Sequence, residues 1–104
     1  MNDDTAILAL GALAHADRLR AFRLLVKTGP DGLASGELAR QLDIAPTRMS
    51  FHLGTLQRAG LITSTRSGQQ MRYRLQPETM RTLMGFLTED CCDGRPDLCF
   101  SGDC

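Results

Sequence analysis

At 104 residues the chain is sized for one domain, with a modest core that a second copy would enlarge. It has no apolar run of the roughly 18 residues that read as a membrane span, and its acidic start, Asn2-Asp3-Asp4, lacks the basic-then-apolar order of a signal peptide; a cytoplasmic chain with mostly reduced thiols is expected. The formal net charge of zero is a cancellation: residues 1–75 hold ten Lys or Arg against six Asp or Glu, and residues 76–104 hold two against six, a basic body and an acidic tail.

Residues 5–14 are apolar almost all round, and a helix without a polar face must be covered. Part of it can lie on its own domain; the remainder implies a partner chain. Residues 16–27 predict a second helix with Leu19, Phe22, Leu25 and Val26 turned inward. Asp17 near its start and Lys27 near its end suit the helix dipole, and His15 stands at its head as a capping or surface histidine. Gly29-Pro30-Asp31-Gly32 closes it with a loop.

Next come two helices and a turn. Leu38, Ala39 and Leu42 mark one face of a helix over 35–42, residues 43–45 are a turn, and Pro46 suits the first turn of the following helix. In that helix Met49, Leu53 and Leu56 share a face, the opposite side carries Thr47, Phe51, Gly54 and Arg58, and Ala59-Gly60 stops it. Residues 61–66 and 71–75 predict two strands around a Ser67-Gly68 turn. Pro77 opens a last helix over 77–88, striped by Met80, Leu83, Met84 and Leu87; such a stripe is core or interface, and with the first helix it can form a dimer contact.

Two helices joined by three residues are the shape of a helix-turn-helix, whose second helix enters the DNA major groove; the alternative is an ordinary helical hairpin in a small bundle. Residues 44–75 favour the first. They carry Arg48, Arg58, Arg66, Arg72 and Arg74 and no Asp or Glu, as a face for a polyanion would. A basic hairpin directly after the second helix is a wing. Expected groove residues are Thr47, Arg48, Ser50, Phe51 and His52, with Arg58 at the end of the same helix and Arg66, Gln69, Gln70 and Arg72 on the wing. His52 has a structural role or a phosphate as alternatives. No Ser/His/Asp set, glycine-rich phosphate loop or paired carboxylates points to an enzyme.

All four cysteines, Cys91, Cys92, Cys99 and Cys104, fall in the last fourteen residues. A disulfide is disfavoured in a reducing compartment. A redox switch, a four-sulfur zinc site and a soft ion held by three thiolates stay open. Trivalent arsenic or antimony takes three sulfurs as a pyramid, which tolerates an adjacent pair and yields a neutral product in an acidic tail.

The chain resembles the ArsR/SmtB family of winged-helix metalloregulatory repressors along nearly its whole length. Residues 13–20, LAHADRLR, are similar to the family's "LadptRlr" opening; residues 50–62, SFHLGTLQRAGLI, match "SxHLxxLxxAGLV"; residues 66–75 are similar to "reGrxvyYrL". The resemblance implies a mostly helical winged helix-turn-helix with a β-hairpin wing. Residues 1–89 would be the DNA-binding and dimerising domain and 90–104 a metalloid-sensing tail. It further implies a homodimer that binds operator DNA until metal arrives. The family's arsenic site on the helix before the recognition helix and its zinc site on the last helix lack their ligands here. What remains is Cys91-Cys92-Asp93-Gly94-Arg95-Pro96-Asp97-Leu98-Cys99, similar to the "CCxGxPExC" tail of an arsenic-responsive subgroup, which carries a ligand role for As(III), or Sb(III), to Cys91, Cys92 and Cys99. Cys104 has no counterpart, and Gly54 stands where many members have Lys or Arg.

Overall fold

The computed structural model describes residues 1–89. The sulfur-rich tail, and with it Cys91, Cys92, Cys99 and Cys104, lies outside the described residues. The order of elements is α1 (Asp3–Leu13), α2 (Ala16–Thr28), β1 (Leu33–Ala34), α3 (Ser35–Leu42), α4 (Pro46–Arg58), β2 (Ile62–Ser67), β3 (Gln70–Leu75) and α5 (Pro77–Thr88). This is a mostly helical winged helix-turn-helix, as the periodicities predict.

Local chemistry sets most boundaries. α1 starts two residues before the apolar run because Asn2 and Thr5 form a reciprocal capping box, and Asp3 and Asp4 occupy its first turn, where the dipole favours acids. The turn between α3 and α4 is set by Asp43 in the left-handed region (φ 55°), with Asp43 N–H bonded to the Arg40 carbonyl and Ile44 N–H to the Ala39 carbonyl. α4 ends the same way: Gly60 (φ 78°) donates to the Gln57 carbonyl and Leu61 to the Leu56 carbonyl, which drops Leu61 into the core.

Three strands form one antiparallel sheet in the order β1-β3-β2. Ser67 pairs with Gln70 across the two-residue loop Gly68-Gln69, and Gly68 supplies the positive φ that a hairpin loop needs at that place. β3 alternates cleanly: Met71, Tyr73 and Leu75 turn toward the helices, while Gln70, Arg72 and Arg74 face out. The two-residue β1 is too short to show a period and was not expected.

The core is one cluster. Met49, Leu53 and Leu56 of α4 are fully buried with Leu25, Leu38, Leu61, Ile62 and Leu83. α2, α3, α1 and β2 all pack on α4, so its apolar face is the centre of the domain. Two expectations for α2 are corrected. Leu19 and Val26 are not inward; they are 44% and 51% exposed, and the buried face is Ala21, Phe22 and Leu25. The helix is rolled so that the small Ala21 takes the close approach to its neighbours and the outer part of the apolar stripe stays in solvent. In α1 the alanines go inward, Ala6, Ala9 and Ala12, while Ile7, Leu8 and Leu10 remain 65%, 54% and 42% exposed. Among the described residues no helix is long and apolar enough to cross a membrane.

Candidate nucleic-acid interface

With Met49, Leu53 and Leu56 buried, the rest of the α4 surface faces outward by necessity. Thr47, Arg48, Ser50, Phe51 and Arg58 are exposed, Phe51 to 65%. Pro46 at the first position and the absence of an acid in the first turn leave the positive end of the α4 dipole unopposed by its own side chains. Arg66, Gln69 and Gln70 are exposed at the wing tip.

Two expected site residues have partners inside the domain. His52 lies on the buried side of α4 and not on its exposed face. It is 5% exposed and turned toward α2, with Nδ1 3.4 Å from Arg18 Nη1 and Nε2 3.5 Å from Asp17 Oδ2. Being three residues after Met49 and one before Leu53, it falls on the edge of the buried stripe, which α2 covers. Burial, reinforced by the neighbouring His15 and by Arg18, pushes the His52 imidazole below its ordinary range; Asp17 opposes this and Arg48 adds to it. Arg72 faces out on the wing and also bonds within the domain: its guanidinium donates to the backbone carbonyls of Asp31 (2.8 Å) and Gly32 (3.4 Å), tying β3 to the loop after α2. Arg58 stays on the surface, folded back along α4 to bond Thr55 Oγ1 (3.3 Å). A side chain at Gly54 would meet that guanidinium at 3.3 Å, so Arg58 lies over the spot where a longer residue at 54 would project.

The segment 15–20 proves to be a junction, which its sequence did not disclose. His15 caps α2, accepting from Asp17 N–H at Nδ1 (3.1 Å). Arg18 Nε donates to the Ala12 carbonyl (2.7 Å), closing the end of α1, and Arg20 Nη2 donates to the Leu42 carbonyl (2.8 Å), closing the end of α3. Asp17 faces two cations, Arg20 at 3.6 Å and Arg48 at 3.3 Å, and lies 3.5 Å from the His52 ring.

His15, Asp17 and His52 put one ligand atom each within 4.8 Å of one another, which is close enough to ask whether they would hold a cation. The bonding disfavours it. His15 Nδ1 is taken as an acceptor by Asp17 N–H, and His52 Nδ1 faces an Arg18 N–H, so each neutral ring carries its proton on Nε2. The single carboxylate is also already shared among arginines.

A mostly apolar helix face packed inward, a bare outer face and an adjoining basic hairpin define a winged helix-turn-helix regulator of transcription. A model of the helix-turn-helix domain matches residues 13–65, and the chain belongs to the ArsR family of these regulators. It is 37% identical over 96 residues to the biofilm growth-associated repressor of Agrobacterium fabrum, covering 91% of this chain and 78% of the relative. It is 34% identical over 74 residues to the arsenic resistance transcriptional regulator ArsR1 of Pseudomonas putida, covering 71% of this chain and 56% of that one. Among solved structures, a homodimeric winged helix-turn-helix DNA-binding domain from Mycobacterium bovis superposes with a TM-score of 0.68 at 22% identity over 86% of this chain and 89% of its own, a likeness of fold.

Proposed function

We propose that this chain is an arsenite-responsive repressor that binds operator DNA as a homodimer and lets go when trivalent arsenic is taken up by Cys91, Cys92 and Cys99. The observation that carries the DNA half is the outward set Thr47, Arg48, Ser50 and Phe51 on a helix whose other face is the core, with Arg66, Gln69 and Gln70 beside it on the wing. Arginine suits guanine edges, Thr and Ser suit bases or phosphates, and a phenyl ring suits a thymine methyl. Arg58 is assigned to a phosphate.

Dimerisation is supported by an uncovered apolar surface. Ile7, Leu8 and Leu10 of α1 and Met84 (55% exposed) and Leu87 (49%) of α5 all stand in solvent, and α1 packs on α5. The Mycobacterium bovis neighbour with this fold is homodimeric. A pair of copies would set two α4 helices about one DNA turn apart on an inverted repeat.

The arsenic half rests on the Cys91-Cys92 to Cys99 spacing and on the arsenic-resistance role in the name of the Pseudomonas putida relative. When bound, the ion would cross-link three thiolates next to α5, and because α5 belongs to the proposed dimer face, drawing them together would bias the spacing of the two α4 helices. Release requires unequal affinity for the two arrangements, typically about 1–3 kcal/mol of coupling. The test is operator binding by the full chain and by its Cys91→Ser/Cys92→Ser variant with arsenite added. The unmodified chain is expected to dissociate and the variant to stay bound; release of the variant refutes the tail as sensor. The adjacent thiols also suit an oxidant sensor on the same body, and peroxide in place of arsenite separates the two.

A further inference from the structure

We infer that Asp17, on α2 and outside the recognition helix, is a specificity-determining residue: its carboxylate holds the Arg48 side chain in the orientation that reads a base. The inference rests on the reading that α4 enters the major groove.

Asp17 is a fixed point. It is only 18% exposed at the side chain, its own N–H is bonded to His15 Nδ1, and Arg20 grips its Oδ1 at 3.6 Å. Arg48, third residue of α4, is 57% exposed and meets Asp17 Oδ2 through Nε at 3.3 Å. That point of attachment matters. A guanidinium has five N–H donors in a rigid plane, and an ion pair made at Nε leaves the fork of two terminal nitrogens available to a second partner. Among the described residues nothing bonds those terminal nitrogens. The fork is the geometry that spans guanine O6 and N7. An arginine without such a brace would have to give up its rotamer freedom on each encounter with DNA; here it is given up on folding.

The charge of Asp17 acts in the same direction. A carboxylate beside the DNA face repels phosphates wherever the chain sits on the duplex, so it weakens binding to every sequence. Arg20 and Arg48 offset part of that repulsion on any duplex, and the placing of Arg48 adds affinity only where it finds its base. Removing the charge while keeping the shape therefore has two effects of opposite sign, which a loss of folding cannot imitate.

The experiment takes the full chain and a pool of randomised duplexes. The preferred sequence is first selected with the unmodified chain, and then Asp17→Asn, Arg48→Ala and the double variant are measured on that sequence and on random duplex at one salt concentration. For Asp17→Asn, affinity for random duplex is expected to hold or rise, while preference for the selected sequence falls about tenfold, the discrimination of one bidentate contact. The relaxation is expected at the same base pairs as for Arg48→Ala, and Asp17→Asn is expected to cost nothing further in the Arg48→Ala background. If Asp17→Asn weakens both duplexes alike, or relaxes other base pairs, or leaves the preference intact while Arg48→Ala relaxes it, the role given to Asp17 is wrong and the DNA reading stands. If the unmodified chain prefers no duplex at all, the DNA reading itself fails and takes this inference with it.

Discussion

Leu8 is the sharpest probe of the proposed dimer. Burying a leucine side chain fully is worth about 1.5–3 kcal/mol. Leu8 keeps 54% of its surface in solvent in the single chain, so about half of that, roughly 1 kcal/mol, is still to be gained when a partner covers it. A two-fold contact uses each residue twice, so Leu8→Ala is expected to cost about 2 kcal/mol per dimer. At about 1.4 kcal/mol per factor of ten, the dissociation constant rises roughly 25-fold. Sedimentation equilibrium across a concentration series measures this, with far-ultraviolet dichroism to show that the single chain is still helical. Val26→Ala is the control: Val26 is 51% exposed, but it sits on α2, outside the α1–α5 surface, and no change is expected. If Leu8→Ala leaves the dimer as tight as before, or if Val26→Ala loosens it equally, the α1–α5 face is not where the copies meet.

Three further outcomes follow from single residues. Gly32 has φ +70° and a methyl group there would stand 2.1 Å from the Tyr73 carbonyl oxygen, whereas Gly68, at φ +64°, opens on free space. Gly32→Ala is expected to lose more than about 2 kcal/mol in urea unfolding and Gly68→Ala only about 1 kcal/mol; equal losses would show that the β1–β3 approach is not tight. His52 is held below its ordinary 6.5 by burial, so the folded chain keeps it neutral where the unfolded chain protonates it. Its contribution is therefore complete above pH 6.5 and is lost as pH falls through the lowered value, and His52→Gln is expected to flatten the stability profile across that interval; an unchanged acid limb would refute this. Arg66→Ala at the wing is expected to reduce the slope of log affinity against log salt by about one while leaving base preference unchanged; a shift in base preference would assign Arg66 to base reading instead.

What the order of residues determined by itself was local. The face of α4 that goes inward, the stop at Gly60, the hairpin about Gly68 and the start of α5 at Pro77 each depend on residues within one or two turns of one another, where periodicity, a fixed proline φ or a glycine's positive φ decides the outcome. Tertiary structure decided which of several available faces is covered. Leu19 and Val26 belong to a legible apolar stripe, but how far α2 rolls depends on helices packed from elsewhere in the chain, and those gave the close approach to Ala21. The same holds for charge. Asp17 meets Arg48 and His52, Arg20 meets the end of α3, and Arg72 meets the carbonyls of Asp31 and Gly32, all across separations at which no spacing rule operates. An arginine's terminal donors reach whatever carbonyl or carboxylate packing brings near, so its sequence position says that a cation is present and only the assembled fold says whether it is spent inside the domain or left for DNA.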